Sequence, residues 1–152
     1  MKPSTTNGRG NEKPGTGKGR ILVVDNDEMI VKAITARLTA EGYDCLPATS
    51  AHQAFSLYER GEVDLVITDL NMPGCDGIAL SERLRERSSV PILQITAYPT
   101  VYEGCNAHIR DTCVVSKPFE WEALLDLVAV KVAQYREKDR TPVDPFLRSL
   151  GP

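Results

Sequence analysis

The chain has 152 residues, a formal net charge of −3 and 41% hydrophobic residues, which supports one domain with a real core and not two. The mild acidity argues against nucleic acid as the main partner. No apolar stretch reaches the roughly 18–20 residues needed to span a bilayer, and the N-terminus lacks the apolar centre of a secretory signal.

Residues 1–19 have no aliphatic side chain after Met1 and are rich in Gly, Lys, Asn, Pro, Ser and Thr. This composition predicts a disordered tail. With Arg20, its Lys2, Arg9, Lys13 and Lys18 oppose only Glu12, a local charge of +4. The stretch "PGTGKGR" superficially resembles a phosphate loop. Glu12 stands where the first glycine is needed, Gly19 follows Lys18, and a strand comes after it rather than before. No aromatic residue interleaves the basic charges, so the tail reads as an extension rather than a nucleic-acid arm.

The texture changes at Arg20. "RILVVD" is a continuous apolar run, as expected of a strand covered on both faces. "DEMIVKAITARLTAEGY" then places Ile30, Ile34 and Leu38 at helical spacing, with Met29 and Ala33 alongside and Gly42 as C-cap. "YDCLPAT" predicts a second strand. Ser50 caps the helix "AHQAFSLYERG", which closes at Gly61. "EVDLVITD" is another buried strand ending in a carboxylate. "NMPGCDG" has turn chemistry. "IALSERLRER" is helical, "VPILQITA" an apolar strand, "PTVYEGCNAHI" a weak helix and "TCVVS" a brief strand. "EWEALLDLVAVKVAQYREK" is an amphipathic helix with Leu124, Leu127, Val128 and Val132 on one stripe. Trp121 opens it as a packing residue. Residues 140–152 are Pro-bounded and predicted to be loose, which leaves 20–139 as the domain.

Strand and helix alternate five times. That order predicts a doubly wound, five-stranded parallel sheet with helices on both faces. Right-handed crossovers bring all strand C-termini to one rim, where ligands bind. Asp25, Asp69, Thr96 and Lys117 are thereby gathered in one crevice. Clustered carboxylates with a backbone carbonyl suit Mg²⁺. An ammonium pairs with Asp69 or with a phosphoryl group on it, and a hydroxyl hydrogen-bonds a phosphoryl oxygen. These are the parts for phosphoryl transfer to an aspartate.

Four stretches in order, "ILVVDNDE", "DLVITDLNMPGCDG", "PILQITA" and "VVSKPF", resemble the receiver domain of bacterial two-component response regulators. The resemblance covers about residues 20–138. It implies a flavodoxin-like fold with strand order 2-1-3-4-5 and a cis Lys117–Pro118 bond. It implies Asp69 as phosphoacceptor, Lys117 as the ammonium, Thr96 as the switch hydroxyl and Ala97 as the small residue beside the phosphoryl group. Mg²⁺ would be held by Asp25, Asn26, Asp69 and Asn71. The donor would be a phosphohistidine on a sensor histidine kinase or phosphotransfer protein, in the cytoplasm. Such a chain is a self-dephosphorylating switch rather than a turnover enzyme. It would signal to a downstream protein through the last and fourth helices, and a homodimer is compatible with it.

Departures from the pattern carry their own expectations. Asn26 replaces an aspartate, so it offers an oxygen without charge. One unit charge about 4 Å from another is worth roughly 4 kcal/mol at an effective dielectric of ~20, so weaker Mg²⁺ binding is expected, with Asp27 helping through water. Val114 replaces the aromatic that turns inward with Thr96, which leaves Tyr98 or Tyr102 to carry the switch. Tyr98 and Asn71 flank the path of an attacking water. "YEGCNAHIRDTC" lacks the usual turn before the last strand, so its helix is expected to be short or irregular.

Two other readings compete. One is a receiver that binds partners without phosphorylation. The other is a phosphohydrolase of the haloacid dehalogenase type, with Asp25 as nucleophile and Asp27 as acid/base; it requires Thr or Val where Met29 stands. His52 and His108 have no partner pattern. Cys45, Cys75, Cys105 and Cys113 form neither a CxxC pair nor a zinc pattern, as expected of free thiols in a reducing cytosol.

Overall fold

The computed structural model describes residues 17–70, 77–98 and 112–140. The predicted turn at 71–76, the weak helix at 99–109 and the tails at 1–16 and 141–152 lie outside the described residues. So do Asn71, Tyr102, Cys75, Cys105 and His108.

Five strands form one parallel sheet: β1 (Arg20–Val24), β2 (Asp44–Ala48), β3 (Leu65–Asp69), β4 (Ile92–Thr96) and β5 (Thr112–Ser116), in the order β2-β1-β3-β4-β5. The described helices are α1 (Glu28–Ala40), α2 (Ala51–Arg60), α3 (Gly77–Arg87) and α4 (Trp121–Arg140). None of them is long and apolar enough to cross a membrane. β3 and β4 are buried along their whole length, which explains why their sequences are mostly apolar. Pro47 is tolerated because β2 is an edge strand.

The core has two layers. On one face Val31, Ile34 and Leu38 of α1 and Leu124, Val128 and Val132 of α4 cover Ile21, Val23 and Ile67 of the sheet. On the other, Ala54 and Phe55 of α2 and Leu80 and Leu84 of α3 cover Leu22, Val66 and Ile92. The stripe expected on α4 is found, with Leu127 only partly buried. The stripe expected on α1 is found too, with Ile34 and Leu38 buried and Ile30 partly buried against the core, but its flanks differ. Val31 is buried, whereas Met29 is 71% exposed and Ala33 is exposed.

The ends follow local chemistry. Asp27 is the N-cap of α1 and accepts the Met29 N–H at 3.0 Å. Gly42 lies one residue beyond the Glu41 C-cap, at φ +103°, rather than at the cap itself. Its N–H bonds Thr39 O, and the Tyr43 N–H bonds Leu38 O, a Schellman closure. Ser50 caps α2 by accepting the Gln53 N–H. Gly17–Gly19, the end of the expected tail, pack on the domain: Arg136 donates to Gly17 O, the Lys18 ammonium lies over the Tyr43 ring, and the Asp44 N–H bonds Gly19 O.

Candidate functional site

The parallel sheet delivers Asp25, Asp69, Thr96 and Lys117 to a single rim, because each ends or directly follows a strand. Asp25 and Asp69 are buried, at 4% and 8% exposure. The Lys117 ammonium lies 3.7 Å from Asp69 Oδ1 and 4.0 Å from Asp25 Oδ2. At 3.7 Å and an effective dielectric near 20, the Asp69 attraction is worth about 4 kcal/mol before desolvation. One cation faces two carboxylates, so a negative charge is left over.

The electrostatics of Asp25 reflect this. Burial pushes its carboxyl above the ordinary carboxylate range, and the charge of Asp69 pushes in the same direction. The Asp27 N–H, 2.9 Å from Asp25 Oδ1, and the Lys117 charge pull it back. Asn26 is exposed. Among the described residues no group of three or more His, Cys, Asp or Glu stands together as a metal cage. Mg²⁺ needs only one or two carboxylates and keeps several waters, so this pair, short of positive charge, fits such an ion.

Backbone bonds lock the rim. The Lys117 N–H bonds Thr96 O at 2.8 Å, fastening the end of β5 to β4. The Lys117–Pro118 bond is cis. Thr96 is buried, and its Oγ1 accepts the Tyr98 N–H at 2.9 Å, which leaves the hydroxyl proton to donate elsewhere. Tyr98 itself is 59% exposed, and Val114 stands on the half-open edge strand.

Beside the charges runs an apolar groove of about 570 Å³, lined by Met29, Ile30, Ala33, Ala97, Phe119 and Trp121 and reaching Asp25, Asp69 and Lys117. Phe119 and Trp121 meet edge to face, and the Arg37 guanidinium covers the Trp121 ring. Trp121 thus packs as expected. The groove was not anticipated. Its one sequence signal is Met29, an apolar residue directly after the acidic cluster, and Met29 and Ala33 face the groove rather than the core.

The "Response regulator receiver domain" description matches residues 21–129. The chain belongs to the receiver domain family of two-component response regulators. A probable transcriptional regulator, ycf27, of Porphyridium aerugineum is 38% identical over 131 residues, covering 82% of this chain and 54% of the relative. The response regulator protein FleR of Pseudomonas aeruginosa is 37% identical over 112 residues, 72% of this chain and 24% of FleR. This receiver chain therefore spans about half or less of these relatives. Among solved structures, the response regulator TrrA of Thermotoga maritima, in complex with Mg²⁺ and BeF, superposes with a TM-score of 0.68 at 30% identity, covering 74% of this chain and 98% of TrrA. The expected strand order and fold hold for this receiver. The dehalogenase alternative is not favoured, because the family match over residues 21–129 is to the receiver domain.

Proposed function

We propose that this receiver takes a phosphoryl group on Asp69 from a phosphohistidine of a sensor kinase or phosphotransfer protein in the cytoplasm. The reading rests on one observation: a buried carboxylate with an ammonium 3.7 Å away, on the rim where Thr96 also ends its strand. In the transfer, the N–P bond of the donor breaks and an O–P bond forms to an Asp69 carboxylate oxygen. The electron pair of the broken bond stays on the imidazole nitrogen. Lys117 pairs with the phosphoryl charge, and the free hydroxyl proton of Thr96 donates to a phosphoryl oxygen. Ala97 leaves room beside it. Mg²⁺ would be held by Asp25, Asp69, Asn26 and Asn71, and would supply charge neutralisation for the phosphoryl oxygens. The apolar groove beside Asp69 offers a seat for a donor helix. The receiver unit is residues 20–139, with Gly17–Gly19 packed on it, and the signal leaves through the surface around Tyr98, Tyr102 and Val114 to a downstream protein.

The test is incubation with acetyl phosphate and millimolar Mg²⁺, followed by intact mass. The expected result is one added phosphoryl group, absent in Asp69→Ala. No adduct on the unaltered chain would favour a receiver that works by binding alone.

Asn26 gives a second expected outcome. Asn26→Asp adds a unit charge beside the ion, and Mg²⁺ affinity, titrated by Trp121 fluorescence, should tighten about tenfold, a modest share of the Coulomb energy available at ~4 Å. Unchanged affinity would place Asn26 away from the ion.

A further inference from the structure

Gln94 sits in the middle of β4 and is fully buried. Its Nε2 donates to Ser81 Oγ of α3 at 2.9 Å, and Ser81 Oγ donates to the Gly77 carbonyl at 2.7 Å. A serine hydroxyl has one proton. Since that proton goes to Gly77, Ser81 can only accept from Gln94, which fixes the amide with its NH₂ toward α3. Among the described residues, Gln94 Oε1 is then buried without a hydrogen-bond partner. Ser81 is also fully buried, in an interface otherwise made of Leu80, Leu84, Val66 and Ile92. An unpartnered buried acceptor is unfavourable, and apolar side chains would fill the same place without it. A buried polar pair that packing does not require points to another role.

The hydrogen bonds continue from there. The Gly77 N–H bonds Leu70 O at 3.2 Å, and the Leu70 N–H bonds Ile95 O at 3.1 Å. The path leaves β4 at Gln94 and returns to β4 at Ile95. It passes through the first turn of α3 and through the peptide next to Asp69. Thr96 is the next residue along. Gln94 also lies in register with Val114 on β5, where no aromatic ring is present to move with Thr96.

We propose that Gln94, acting through Ser81, is a positioning residue for phosphoryl transfer at Asp69. It holds the first turn of α3, and so the acceptor's own peptide, and it couples that turn to the strand that carries Thr96. The inference rests on the phosphoryl-accepting function proposed above. Displacement of Thr96 toward a bound phosphoryl group then pulls on α3 through the circuit, a route that needs no ring at position 114.

The test uses the full chain with acetyl phosphate and Mg²⁺, comparing Gln94→Leu, Ser81→Ala and the double variant Gln94→Leu/Ser81→Ala. Gln94→Leu should lower the maximal rate of adduct formation about tenfold, as expected for a slightly misplaced acceptor, with the half-saturating acetyl phosphate concentration unchanged. The double variant removes both polar partners, so its melting temperature should return to that of the unaltered chain, while its rate stays low. Beryllofluoride should slow amide exchange in the first turns of α3 in the unaltered chain and not in the double variant. A double variant that recovers both stability and rate would reduce the pair to packing and overturn the inference. So would Gln94→Leu reacting at the original rate, with the proposed function intact. If the unaltered chain forms no adduct, the proposed function fails and this inference fails with it.

Discussion

Gly77→Ala is expected to destabilise the domain by about 3 kcal/mol, at the upper end for overpacking, and to lower the melting temperature by roughly 6–12 °C for a chain of this size. A Cβ at residue 77 would stand 2.2 Å from Asp69 O, 2.8 Å from Leu70 Cα and 3.0 Å from Asp69 C. All three are backbone atoms, so no rotamer change relieves the contact. Either α3 moves away from the sheet or the peptide after Asp69 turns. Both break the Gly77–Leu70 hydrogen bond. Because the clash falls on Asp69, the proposed acceptor, phosphoryl uptake should fall with stability, by about a hundredfold if Asp69 moves an ångström. Gly61→Ala is the control. A Cβ there meets only the Arg20 side chain, at 3.2 Å, so the change should stay within about 0.5 kcal/mol. Thermal denaturation and intact mass after acetyl phosphate read both effects. An unchanged melting temperature for Gly77→Ala would mean that α3 does not press on the acceptor as the structure places it.

The fold was legible because β1, β3 and β4 are buried on both faces, and such strands appear as mostly apolar runs. Regular alternation with helices then leaves little choice but a parallel sheet, and the sheet puts the strand ends together. Asp25, Asp69, Thr96 and Lys117 were readable for that reason: each lies where an apolar run stops. On α1 the stripe Ile30, Ile34 and Leu38 was legible, but the flanking Met29 and Ala33 were not recognisable as groove residues. Apolarity alone does not distinguish a side chain facing the core, such as Val31, from one facing a groove, such as Met29. The role of Asp27 was obscured by its neighbours. In an acidic cluster a helix cap is hard to tell from a metal ligand, and only the hydrogen bond from the Met29 N–H shows the cap. Gln94 and Ser81 left no trace at all. A glutamine inside "PILQITA" and a serine inside "IALSERL" have no shared spacing, and only the packing of α3 against β4 joins them.

Lys117→Ala is expected to slow phosphoryl uptake from acetyl phosphate by about a hundredfold, the low end for losing one preorganised donor to a developing charge. The ammonium lies between two buried carboxylates, 3.7 Å from one and 4.0 Å from the other. Its removal acts differently on the two binding events. The transferring phosphoryl group loses its cationic partner, so the rate falls. A divalent ion loses a competitor for Asp25 and Asp69, so Mg²⁺ affinity should hold or rise. That opposition is the useful signature, since general damage to the site would weaken both. Lys117→Arg should not rescue the rate fully, because a planar guanidinium cannot occupy the place of a compact ammonium. The backbone contribution survives either change, since the residue 117 N–H still bonds Thr96 O and keeps β5 fastened to β4. Stopped-flow fluorescence of Trp121, which lines the same groove, would follow both Mg²⁺ binding and phosphoryl uptake. A Lys117→Ala chain that reacts at the original rate would show that the ammonium serves only to hold the two carboxylates together.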